Sequence, residues 1–286
     1  MALARRTGFR SFLATAAGNG LEVAVEVGEL DWAIETAAEL LTMDLEPSDR
    51  RSILRGLEEA RLMRNLPIDD LLADHAGVEA MPAPDPQELA NLWAVRALAA
   101  FLRGRPAEAI GLWENGGRKS SINWSTSIPL AARAALWADD RATFDRLLDE
   151  LVARGVHGRA AAARYEALAA ARNALDGQHE DAITGFGRAF EAFHELGLQV
   201  SLVLACLDMA LVLGPQDPAA RAALDEANDV IDRYGFEALR ARLEALRAGP
   251  ASVGGQPGGH PKSADPETIA SGVAASGSTE PSVSGS

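Results

Sequence analysis

The feature that most constrains this chain is an internal repeat. The segment RGRPAEAIGLWENG (103–116) returns as LDGQHEDAITGFGRA (175–189), matching Gly104 with Gly177, Glu108 with Asp181, Ala109 with Ala182, Ile110 with Ile183 and Trp113 with Phe186 at a constant offset of 73. That distance is too long for one helical hairpin and suits two. The intervening unit is ADDRATFDRLLDEL (138–151), with Asp139, Phe144, Leu148 and Leu151 in the matching places. The same grammar runs through VGELDWAIETAAELL (27–41), 76 residues before the third unit, where Gly28, Ala33, Ile34, Ala37 and Leu40 hold the pattern. A degenerate copy, MRNLPIDDLLADHAG (63–77), falls midway, and LGPQDPAARAALDEA (213–227) is the last. About six units spaced 35 to 39 residues apart result.

One unit shows the physical logic. A first helix, AAAARYEALAAARNAL (160–175), stops at Gly177, whose freedom to take positive φ suits a helix C-terminus. The acidic turn QHED opens a second helix, because carboxylates favour the first turn. Ala182, Phe186 and Ala189 then recur at four and three residues and share one face. Small residues let the two helices approach, the aromatic fills the gap, and ELG (195–197) closes the helix. One pair cannot bury this stripe alone, so the pairs stack into a solenoid. Ala and Leu dominate the apolar 48%, with only 5% aromatics, which favours helix throughout. From Gly249 to Ser286 Leu and aromatics vanish and Gly, Pro, Ser and Ala prevail, the composition of a disordered tail.

A turn glycine, then alanine, a large residue four later and a small one three after that: this pattern resembles the tetratricopeptide repeat. GNGLEVAVEVGELDWAIETAAELL and AFEAFHELGLQVSLVLACLDMALVLG are similar to stretches of the C-terminal arrays of bacterial LuxR-type regulators and adenylate/guanylate cyclase-like signalling proteins. The resemblance covers residues 10–246 and implies an all-α, right-handed superhelix of about six helix pairs over residues 1–248. It further implies a non-catalytic interaction scaffold or regulatory and sensor array of a bacterial signalling or transcription-control system. The alternative is a detached C-terminal region of a cyclase-like or ATPase regulator, since no metal-binding Asp pair or ATPase core accompanies the array. The abrupt start near Met1, without a polar capping repeat, is read either as such a piece or as a helix packing on another subunit.

First helices of such pairs line a concave groove. The resemblance puts Thr15, Glu22 and Glu26 of the first unit there, with Asn91 of the third, Thr126 and Arg133 of the fourth, and Arg164 of the fifth. Asp208 of the last unit is a further candidate. This polar, mixed-charge lining suits a protein or peptide partner. INWSTSIP (122–129) interrupts the pattern and reads as a long loop over 117–128 carrying Trp124 into a helix near Pro129. Trp124 there plugs the junction between units or, alternatively, contacts a ligand.

Other chemistries find little purchase. A net charge of −14 opposes a nucleic-acid backbone or an anionic membrane. Cys206, the single cysteine, reads as a small buried hydrophobe. LGLQVSLVLACLDMALVLG (196–214) nears the length of a membrane span, but Gln199 and Asp208 mark it as a buried helix. With no apolar signal core at the N-terminus, a cytoplasmic location is expected. His75, His157, His179 and His194 lack metal-ligand spacing, and His260 falls in the tail. GLWENGGRKS (111–120) imitates a phosphate-binding loop, yet Gly117 and Arg118 intervene before Lys119 and no strand precedes it. It reads instead as the second helix of a unit, ended by its two glycines. No catalytic residue, metal or cofactor is implied.

Overall fold

The computed structural model of the chain describes residues 10–72, Val78, Pro82 and 84–249, with side chains from Thr15 onward. The reading of 249–286 as a disordered tail lies outside these residues except at Gly249, as does most of the second helix of the unit at 63–77. Among the described residues there is no strand, so the protein is all-α. Twelve helices have both ends among the described residues: α1 (Arg10–Val27), α2 (Leu30–Leu41), α3 (Pro47–Met63), α4 (Pro86–Leu102), α5 (Pro106–Lys119), α6 (Ser121–Trp137), α7 (Arg141–Arg154), α8 (Arg159–Leu175), α9 (His179–Leu196), α10 (Gln199–Leu213), α11 (Pro218–Tyr234) and α12 (Glu237–Ala248).

The periodicity written in the sequence is also a periodicity of backbone conformation. Left-handed residues end α1, α3, α4, α6, α8 and α10: Gly28, Asn65, Gly104, Asp139, Gly177 and Gly214, with φ between 56° and 91°. Asn65 and Asp139 are non-glycine residues whose short polar side chains tolerate this region. At five of the six, the next amide donates to the carbonyl five residues back: Glu29 to Ala24, Leu66 to Arg61, Arg105 to Ala100, Asp140 to Ala135 and Gln178 to Asn173, at 2.8–2.9 Å. This bond satisfies a terminal carbonyl and reverses the chain tightly. At Gly214 the following residue is Pro215, which has no N–H to give.

The second helices bury the stripe expected of them. Ala33, Ala37 and Leu40 of α2, Ala109 and Trp113 of α5, Phe144, Leu148 and Leu151 of α7, and Ala182, Phe186 and Ala189 of α9 are all essentially inaccessible. Each packs on the first helix of its pair, and the first helices touch in succession, α1 on α3, α3 on α4, α4 on α6, α6 on α8, α8 on α10.

Two expectations need correction. Residues 117–128 are not a long loop: α5 continues to Lys119, Ser120 alone breaks it, and α6 starts at Ser121 and carries Trp124 and Pro129 inside it. Gly116 and Gly117 do not end the helix. They let it approach α4 and α6, for a Cβ on Gly116 would lie 3.3 Å from the Ala90 carbonyl oxygen and one on Gly117 3.0 Å from Ile128 Cδ1. GLWENGGRKS is therefore helix from Gly111 to Lys119. The interval 196–214 contains the 15-residue α10, and no helix among the described residues is long and apolar enough to cross a membrane.

The array does not remain open. α10 returns to contact α1, so the six first helices form a closed circuit, and α12 reaches α3. Glu26, in the last turn of α1, accepts hydrogen bonds from the Ser201 amide at 3.1 Å and from the Ser201 hydroxyl. Ser201 lies in the first turn of α10, which has no side-chain cap of its own, so a carboxylate 175 residues away caps that helix. Nearby, Arg242 of α12 donates to the Phe101 carbonyl and lies 4.0 Å from the Phe101 ring and 4.5 Å from that of Trp137.

Candidate functional site

Counting back from the left-handed residues fixes the register of the inner face. Six residues before them stand Glu22, Glu59, Leu98, Arg133, Ala171 and Asp208; thirteen before stand Thr15, Ser52, Asn91, Thr126, Arg164 and Ser201. The closed circuit encloses a cavity of about 340 Å³, and residues from both sets line it. Units one to four contribute their nearer position (Glu22, Glu59, Leu98, Arg133), while units four to six contribute the farther one (Thr126, Arg164, Ser201). Seven helical residues rise about 10 Å, so the later units are displaced along the helix axes by roughly that amount relative to the earlier ones.

Five of the seven groove residues expected from the sequence therefore meet in one cavity: Glu22, Glu26, Thr126, Arg133 and Arg164. Thr15 and Asn91 are placed elsewhere, in a separate polar cleft of about 360 Å³ with Ser52, Arg51 and Glu88. Asn91 links the two regions, its Oδ1 accepting from Arg55 Nη1 at 2.9 Å and from Asn123 Nδ2 at 2.8 Å. Asp208 is not on the wall but behind it, wholly buried. It accepts from Arg133 Nε at 2.6 Å and from Trp137 Nε1 at 2.7 Å.

The walls differ in chemistry. On α1 and α3 one guanidinium serves two carboxylates, Arg55 reaching Glu22 at 2.8 Å and Glu59 at 3.0 Å. Burial raises the pKa of Glu22; Arg55 counters this, and the nearby Glu59 reinforces it. For Arg55 burial acts against the charge, but Glu59 and Glu22 outweigh it and hold the group more firmly protonated. Across the circuit on α6, Arg133 has 3% of its side-chain surface accessible, and its Nη2 finds no acceptor. Arg164 of α8 is occupied, with Nε on Ser201 Oγ at 3.0 Å and Nη2 3.3 Å from Glu26. Leu98, Leu130 and Leu204 supply an apolar strip between these charges.

Arg55, Glu59 and Ser201 escaped the sequence reading. Glu59 and Ser201 share register positions with Glu22 and Thr126, so a count from Asn65 and Gly214 would have found them. The left-handed Asn65 carries none of the glycine signal that marks the neighbouring turns, and the second unit was legible only as a degenerate copy over 63–77, with no inner-face residue assigned to it. Trp124 is buried, with its indole N–H 3.4 Å from Glu150 and Arg154 stacked 4.7 Å from its ring, outside the cavity. Cys206 is buried, and burial pushes its thiol pKa well up, leaving an unreactive group. His179 and His194 pair with Asp217 at 2.8 Å and Glu226 at 2.6 Å on the surface. No family model, curated protein or solved structure matches the chain.

Proposed function

We propose that the chain is a non-catalytic regulatory array of about six tetratricopeptide-like helix pairs, wound into a right-handed superhelix, that senses a ligand on its inner face. Its setting is the cytoplasm, within a bacterial signalling or transcription-control system of the kind its sequence resembles. The observation that carries this reading is the convergence of Glu22, Glu26, Thr126, Arg133 and Arg164, drawn from three separate pairs, on one cavity. A volume of about 340 Å³ belongs with small-molecule and short-peptide sites. It is too small for a partner helix ~10 Å across, which favours sensing over scaffolding.

A thermal-shift screen of small metabolites and short peptides tests this, run on the full chain and on Leu98→Trp, which fills the cavity. A ligand at 100 times its Kd stabilises by about 2.7 kcal/mol. Support is a ligand that raises Tm in the native chain alone. Finding none, or finding turnover of a nucleotide or an ester by the purified chain, removes the reading.

A further inference from the structure

Three features of the cavity wall constrain what fits. Arg133 is buried, tied through Nε to Asp208, and left with a spare donor at Nη2. A buried N–H without an acceptor is destabilising, so an acceptor is wanted on α6. On the opposite side of the circuit, Glu22 and Glu59 share the single cation Arg55, leaving a surplus negative charge on α1 and α3. Leu98, Leu130 and Leu204 line the same cavity from helices α4, α6 and α10. A simple fatty anion would face the surplus carboxylate, a simple amine would leave the Arg133 donor unmet, and a neutral hydrocarbon would leave both.

Resting on the sensing role proposed above, we infer that the cavity takes a small zwitterion with an apolar body, a short apolar peptide with free ends. Its carboxylate lies on the Arg133 guanidinium where it lines the cavity, its ammonium on the Glu22–Glu59 pair, and its side chains along the leucine strip. Charge-assisted hydrogen bonds at both ends give the site its polarity and its length limit. The leucines set the apolar preference.

Calorimetric titration of the full chain with leucyl-leucine, N-acetyl-leucyl-leucine and leucyl-leucinamide tests the assignment. Leucyl-leucine binds saturably, and blocking either end weakens binding about tenfold or more. Glu22→Gln weakens leucyl-leucine and leaves the acetylated peptide unchanged. Arg133→Met combined with Asp208→Leu weakens the free acid and leaves the amide unchanged. Leu130→Trp abolishes binding of all three while keeping every charge, so the test holds even where the double variant fails to fold. Equal affinity for the three peptides, indifference to Leu130→Trp, or no saturable binding overturns the inference. A cavity-dependent ligand of another class in the thermal-shift screen would remove the zwitterion and leave the sensing role standing; no cavity-dependent ligand at all would remove both.

Discussion

The pair Arg133–Asp208 is where the inner wall is most exposed to single substitutions. Both side chains are buried, and removing one partner strands the other's charge away from water. Arg133→Ala is expected to lower stability by about 3–5 kcal/mol, read from urea unfolding, whereas Arg133→Met with Asp208→Asn, which removes both charges and leaves Trp137 Nε1 an acceptor, recovers most of that loss. A stability loss of similar size in that double variant would show that the guanidinium acts through contacts other than its pairing. Glu22 makes the opposite kind of prediction. Its pKa is raised in the fold by burial, so the folded chain holds this proton more tightly than the unfolded one. Stability therefore falls as pH rises from the ordinary carboxylate value, ~4.3, through the raised folded value. Glu22→Gln loses that slope, so it is the more stable form at neutral pH and holds no advantage near pH 4. Urea midpoints across this range check the sign.

At the scale of the element, helix ends and close approaches govern. Asp217 caps α11 by accepting from the Ala219 and Ala220 amides at 2.8 and 3.2 Å, and His179 adds a third contact. Burial opposes its charge, but these donors outweigh it and hold the carboxyl below its usual range. Asp217→Ala is expected to cost about 1 kcal/mol at neutral pH, a difference lost as pH falls through that depressed pKa. Gly28 combines a φ of +91° with Tyr234 packed so close that a Cβ would fall 2.3 Å from Cδ1. Gly104 has a φ of +76° with open space around it. Gly28→Ala is thus expected to destabilise by well over the ~1 kcal/mol of backbone strain that Gly104→Ala incurs, with Tm reporting both. These ends also show what the sequence reveals. Gly28, Gly104, Asp139 and Gly177 were legible because the same local chemistry returns at each turn. Gly116, Gly117 and Pro129 misled, since their intrinsic cost to a helix is offset here by tertiary packing. Here the glycines admit α4 and α6, and the Pro129 ring is buried inside α6. Glu22, Thr126, Arg133 and Arg164 occupy the repeating register positions, but Glu26 does not, and its meeting with Ser201 joins unlike positions 175 residues apart that no local pattern encodes.

Over the whole molecule, that meeting decides how the array holds together. Glu26→Gln removes the charge at the head of α10 and weakens the approach of Arg164. Amide exchange is expected to rise in the last turn of α1 and the first turn of α10 while α5 and α7, away from the seam, keep their protection. Uniform change along the chain, or none at the seam, would mean that apolar packing alone closes the circuit. A linear stack of repeats behaves as a one-dimensional system, in which units are lost from an end one at a time and each needs only its neighbours. A circuit has no free end of that kind. Closing 175 residues delays the last contact until nearly all the chain is in place, raising contact order and slowing folding. In return, fraying from the N-terminus has to break the seam between α1 and α10, and fraying from the C-terminus has to lift α12 off α3, so neither end is free in the way that the end of a linear stack is.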